Sequence, residues 1–339
     1  ALESGASVIV IKGHVGTITI TEPLIYSNEL PLRIVGSGQL VDGTALNDPA
    51  APLLSVTGGS DVAIRNLAFD AGGGYDFDNP GGGKGIFVDV PEDVTGTVTV
   101  DLTGVSVFGT GNHGIHVSDC SLGDDCGGGQ GGGGDGSEAS IDVRLVDVLV
   151  ENSGWGKADA DGVRVDERAG GDILFSAVNS VFTGVGADGV ELDEGNDGDV
   201  FLNVRNNYFG ENGAFCLGDD DLQEGDDCYD DGDPDVDDGF DVDEAGPGTI
   251  RGFLHRNDMI ANFDEGFDFD EEDEGGFDVV FTSNIAIGNE DEGVKLSEEG
   301  EGSIVASLRS HYTEANNGSK EGIEIEEEDG GEVHVTVLG

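Results

Sequence analysis

"DDGFDVDEAG", Asp237 to Gly246, sets five carboxylates around two apolar side chains, and "DEGFDFDEED", Asp264 to Asp273, repeats the arrangement 27 residues later. Aligning the chain on the glycine of this motif gives "KGIFVDV", "HGIHVSD", "DGVRVDE", "DGVELDE", "DGFDVDE", "EGFDFDE", "EGVKLSE" and "EGIEIEE", with glycines at 85, 114, 162, 189, 239, 266, 293 and 322. The successive spacings are 29, 48, 27, 50, 27, 27 and 29. The two long intervals hold "DCSLGDDCGGGQGGGGDG" and "GAFCLGDDDLQEGDDCYDDGDPDVD", which read as insertions near 119–136 and 213–237 into units of period close to 27.

Each unit carries a second alternating run, such as "DILFSAVNSVF", "DVFLNVRNNYF" and "FDVVFTSNIAI". Period-two alternation predicts strands, and no stretch shows convincing helical periodicity. Short strands, Gly/Asn/Asp corners and no room for crossover helices describe a coil whose turns stack by parallel pairing. An antiparallel sandwich would not return one motif in one orientation at a fixed period. The expected fold is therefore all-β, a parallel β-helix of about ten rungs forming a single domain over 1–339.

The 14 Lys and Arg residues stand against 72 Asp and Glu, a formal net charge of −58, so nucleic acids and anionic membranes are poor partners and cations natural ones. Such acidity can signal disorder, but 36% apolar residues in alternating runs argue for a buried core. No apolar run reaches the roughly 20 residues of a membrane span. The opening "ALESGASVIV" lacks the regions of a signal peptide, as expected of a mature or trimmed chain. The four cysteines form two close pairs, Cys120 with Cys126 and Cys216 with Cys228, which predicts two local disulfides and a secreted or cell-surface protein. A metal reading of these pairs lacks both the C-x-x-C spacing and a nearby histidine.

On the entry "ASVIVIKGHVGTITITEPLIY", the phrase "APLLSVTGGSDVAIRNLAFD" and asparagines after the second strand (Asn179, Asn206, Asn257, Asn284), the chain resembles the right-handed parallel β-helix, pectin-lyase-like superfamily over roughly residues 6–338. The match is to the general repeat and to no single enzyme's signature. The resemblance implies the right-handed coil but no one activity, because this superfold carries lyases, hydrolases, epimerases, adhesins and scaffolds alike.

In the motif the two apolar residues face inward, so the residue between them and the one after point outward, and stacked turns build columns. The first reads Phe87, His116, Arg164, Glu191, Asp241, Asp268, Lys295, Glu324; the second Asp89, Ser118, Asp166, Asp193, Asp243, Asp270, Ser297, Glu326. A third, before the glycine, reads Lys84, His113, Asp161, Asp188, Asp238, Glu265, Glu292, Glu321. Like charges about 4.8 Å apart repel by about 1 kcal/mol per pair even in water. Ca2+ takes six to eight oxygens, and one ion bridges carboxylates so spaced, which makes Asp166, Glu191, Asp193, Asp241, Asp243, Asp268 and Asp270 candidate ligands. The competing reading is a solvated acidic face of the kind halophilic proteins carry. Asp219, Asp220, Asp230 and Asp233 in the second insertion form a further candidate set, without the EF-hand pattern, against an ordinary acidic loop.

Calcium-dependent pectate lyases resemble this arrangement, with acids holding Ca2+ and a nearby Arg or Lys abstracting a proton. Arg164 and Lys295 flank the acidic block and are weak catalytic candidates, although such an Arg more often serves as a structural ion-pair partner, here for Asp166 or Glu191. "NHGIH" and "DADG" are faintly similar to polygalacturonase motifs. The histidines precede the aspartates, however, and the basic tripeptide is absent, as is the Asp-Pro-His-Glu motif of alginate epimerases. His116 is a third weak candidate, though His113 and His116 are expected as turn and surface residues. Trp155 and Tyr208 are too few for a sugar-binding platform. The expected function is an exported Ca2+-binding structural or adhesive element, whose partners are divalent cations and an extracellular polysaccharide or neighbouring surface protein. The alternative is a Ca2+-dependent polysaccharide lyase or glycoside hydrolase.

Overall fold

A computed structural model describes residues 2, 5–120, 136–219, 221–230, 232–314 and 322–339. The chain winds into a right-handed parallel β-helix, as the 27-residue period predicts. One face is a ten-stranded parallel sheet whose strands run, in order along the axis, Leu24–Tyr26, Leu54–Val56, Ile86–Asp89, Ile115–Ser118, Val163–Glu167, Val190–Glu194, Phe240–Ala245, Phe267–Asp273, Lys295–Gly300 and Glu324–Asp329. Eighteen further strands, some only two or three residues long, close the coil as a second sheet. A two-stranded antiparallel ribbon, Tyr229–Asp230 with Asp233–Pro234, belongs to the second insertion.

Register follows the motif. Glu191 pairs with Asp241, Asp241 with Asp268 and Asp268 with Lys295, while Asp193, Asp243, Asp270 and Ser297 align beside them. Beneath, Phe240 opposes Phe267 and Val242 opposes Phe269, all fully buried, so apolar contacts lock the backbone that carries the acids. Phe209 stacks on Phe240 at 5.7 Å between ring centres, and Phe269 meets Phe240 edge-on at 5.6 Å.

The asparagine column of the sequence divides in two. Asn179 and Asn206 occupy left-handed corners with φ of 53° and 55°. Asn257 and Asn284 instead join Asn207 in a buried stack, each amide donating to the next carbonyl oxygen at 3.0–3.1 Å. Asn212, Asn262 and Asn289 form a second stack at 3.1 Å. Each member also takes a neighbouring backbone N–H, which satisfies corner groups that strand pairing leaves open.

The predicted Cys216–Cys228 disulfide is present, and it pins the insertion against Phe77, Trp155 and Leu222 in a small second core. Cys126, and with it the expected Cys120–Cys126 pairing, lies outside the described residues.

Candidate metal centre

Alternation places the acidic columns on the outer side of the ten-stranded sheet, but they are not a solvated face. Asp166 and Asp193 are 0% exposed, Glu191 5% and Asp268 8%, with Asp241, Asp243 and Asp270 half-buried. Two loops cover them: Lys157, Ala158 and Asp159 from one, and Asp227, Asp235, Val236 and Asp237 from the disulfide-pinned insertion, line a cavity of about 510 Å³ with Glu191, Asp241 and Asp243. Period-two alternation reports which side of a strand a residue takes, not whether another segment lies over it. His113 and His116, expected as turn and surface residues, are each 1% exposed.

Carboxylate oxygens converge in four triads, each within 4.8 Å: Asp159/Asp161/Glu191, Glu191/Asp241/Asp243, Asp238/Asp241/Asp268 and Asp238/Asp264/Glu265. Of the expected ligands, Glu191, Asp241, Asp243 and Asp268 are thus brought together. Asp166 and Asp193 are bound by arginine, and Asp270 lies 3.9 Å from Lys295 Nζ. Asp219 accepts the Asp221 N–H at 2.9 Å and joins no triad among the described residues, nor does Asp233. Asp220 and the Asp230 side chain lie outside the described residues.

The third column supplies what the columns of the motif alone did not. Asp161 Oδ1 accepts the Asp188 N–H at 3.2 Å, Asp188 Oδ1 the Asp238 N–H at 2.6 Å, and Asp238 Oδ1 the Glu265 N–H at 2.6 Å. This chain of bonds fixes the carboxylates of successive turns relative to one another. Burial, then neighbouring carboxylates, pushes Asp188, Asp237, Asp238, Asp241 and Asp243 well above the usual range. Such a set holds protons unless a cation takes their place.

The catalytic candidates sit at the ends of this block. Arg164 is 2% exposed; Nε donates to Asp166 at 2.8 Å, Nη2 to Asp193 at 3.0 Å and Nη1 to Asp159 at 3.2 Å, with Glu191 and Asp161 also against the guanidinium. Arg168, which lies outside the outward columns of the motif and was not singled out from it, is fully buried against Asp193. Burial opposes the charge of Lys295, but Asp268 at 2.8 Å and Asp270 overcome it and hold the ammonium protonated. His116 Nε2 lies 2.6 Å from Asp166 Oδ2, and burial draws the imidazole below its ordinary value. Burial raises Asp166 too, but Arg164 and His116 outweigh it and keep the carboxylate ionised.

No family model and no curated protein matches the chain. Among solved structures it is similar to the Azotobacter vinelandii mannuronan C-5 epimerase AlgE4 A-module (13% identity, TM-score 0.49, 99% of this chain and 88% of that one). It is also similar to a mutant of the periplasmic alginate epimerase AlgG (13%, 0.47, 98% and 76%) and to the Geobacillus virus E2 ORF18 protein (13%, 0.46, 91% of this chain), of which it spans half the length. Likeness at this identity concerns the fold alone.

Proposed function

We propose that the chain is an exported β-helix whose covered acidic cavity binds several Ca2+ ions, and that it serves as a structural or adhesive element at an extracellular glycan or a neighbouring surface protein. The observation that carries this reading is a run of four carboxylate triads, each sharing a residue with the next, of which Glu191/Asp241/Asp243 lies wholly in the cavity lining. Two oxygens on opposite sides of a calcium ion at about 2.4 Å are about 4.8 Å apart, so no pair within a triad is too widely spaced to share one ion. An all-oxygen, carboxylate-rich donor set favours Ca2+ over softer metals, and its irregular geometry favours Ca2+ over octahedral Mg2+. The disulfide supports an exported protein. No described helix is long and apolar enough to cross a membrane. The lyase alternative needs an unprotonated Arg or Lys as base, and Arg164 and Lys295 are both locked as cations.

Ligand that binds the folded chain alone stabilises it by about 2.7 kcal/mol per site at about a hundred times Kd. Thermal melts should therefore show Tm raised by Ca2+ and lowered by EDTA at constant ionic strength. Full restoration by NaCl at matched ionic strength would leave only charge screening.

A further inference from the structure

The acidic columns already contain two cations of their own. Arg164 fills the first triad, touching Asp159, Asp161 and Glu191 with one nitrogen. Lys295 lies against Glu265 at 3.7 Å, at the other end of the block. Between them stand Asp188, Asp237, Asp238, Asp241 and Asp243, and among the described residues no Lys or Arg forms an ion pair with any of these five. The two middle triads, Glu191/Asp241/Asp243 and Asp238/Asp241/Asp268, have one residue in common, Asp241.

A second observation points to a ligand there. Asp268 is 8% exposed; its Oδ2 takes the Lys295 ammonium at 2.8 Å, while its Oδ1 is buried with no protein partner. Asp268 is itself a member of the second middle triad. A buried carboxylate oxygen without a donor is costly, and a cation beside it removes that cost.

From this arrangement we infer that the acidic block holds a pair of Ca2+ ions bridged by the Asp241 carboxylate, one completed by Glu191 and Asp243 and the other by Asp238 and Asp268. The proposal rests on the calcium reading above and narrows it to a stoichiometry and a pivot. Arg164 and Lys295 act as fixed end-caps that keep further ions out of the flanking triads. Sharing one carboxylate makes the ions interdependent, since each orients the oxygen pair that the other needs.

Equilibrium dialysis with radioactive Ca2+ at fixed ionic strength, on the full chain and on variants with native circular dichroism, tests this. The parent should bind two tight ions. Asp243→Asn and Asp238→Asn should each keep one, and Asp241→Asn should lose both. Asp241→Glu, which keeps the charge but displaces the oxygens, should weaken both sites at least tenfold. Each replacement by Asn removes a charge from a repelling set, so folding is not endangered. If Asp241→Asn retains one tight ion, the bridge is wrong while calcium binding stands. If the parent binds no tight Ca2+ at all, the calcium reading itself falls, and the bridge with it.

Discussion

Arg164 shows how much a single buried side chain can decide. Its guanidinium donors meet five carboxylates at 2% exposure, so it is the counter-ion that lets Asp159, Asp161, Asp166, Glu191 and Asp193 approach one another out of water. Removing one partner of a buried pair costs about 3–5 kcal/mol, because the other charge stays buried and unpaired. Arg164→Met should lose stability in that range in denaturant melts with chelator present. Arg164→Lys should recover only part of it, since an ammonium cannot reproduce the planar fork. A loss under about 1 kcal/mol for Arg164→Met would mean that these carboxylates are protonated and need no counter-ion. The position of Arg164 beside Glu191 was legible in the sequence from the repeat alone. Its burial was not, because the covering residues around Lys157 and Asp237 come from loops with no periodicity of their own.

At the scale of elements, the 27-residue unit carries a second, inward ladder. Glu167, Glu194, Glu244, Glu271, Glu298 and Glu327 share one register position, and each sits four residues before a glycine of the following turn. Glu167, Glu194, Glu244 and Glu298 accept the N–H of that glycine at 3.0, 3.1, 3.1 and 2.7 Å. The signal, Glu-x-x-x-Gly at the period of the repeat, lay in the sequence but was masked by the surrounding acids. Burial, then hydrogen bonds to Glu271 and Glu194, pushes Glu244 up to about 11, so the group stands protonated and behaves as an amide would. Glu244→Gln should therefore change stability by less than about 1 kcal/mol. Gly248→Ala should cost roughly 1–3 kcal/mol or more, because its Cβ would fall 1.8 Å from the Gly198 carbonyl oxygen. Chemical denaturation of the two variants separates the cases, and a Gln variant as damaged as the Ala variant would argue for an ionised ladder. The period and the parallel pairing were readable because stacked turns must repeat. The second core of Phe77, Trp155 and Phe215 was not, since its members come from three distant loops.

Over the whole molecule, a net charge of −58 is carried partly by groups that folding takes out of water. Folding raises several carboxyls: Asp161 and Asp270 to about 7, Glu271 and Glu292 to about 8, Glu265 to about 9, Glu167 to about 10 and Glu244 to about 11, in each case chiefly through burial. A carboxyl raised on folding contributes stability that is complete below its unfolded value, about 4, and is lost as pH climbs through its folded value. In the window from about pH 6.5 to 8.5 the unfolded chain has already released these protons, whereas the folded chain gives up those of Asp161, Asp270, Glu271 and Glu292 only within it and keeps those of Glu265, Glu167 and Glu244, so acidification stabilises. His113, His116 and His311 are drawn below 6.5 by burial and oppose this only at lower pH, and the depressed Asp166 matters only below its ordinary range. Calcium and protons compete for the same buried oxygens.

The decisive measurement is Tm at pH 6.5 and 8.5 with saturating Ca2+ and with chelator, at one ionic strength. With chelator, Tm should be higher at pH 6.5 than at pH 8.5, and the rise produced by Ca2+ should be several-fold larger at pH 8.5. A calcium increment equal at both pH values, or a chelated protein that loses stability on acidification across this window, would contradict a buried carboxylate site and restore the solvated acidic face.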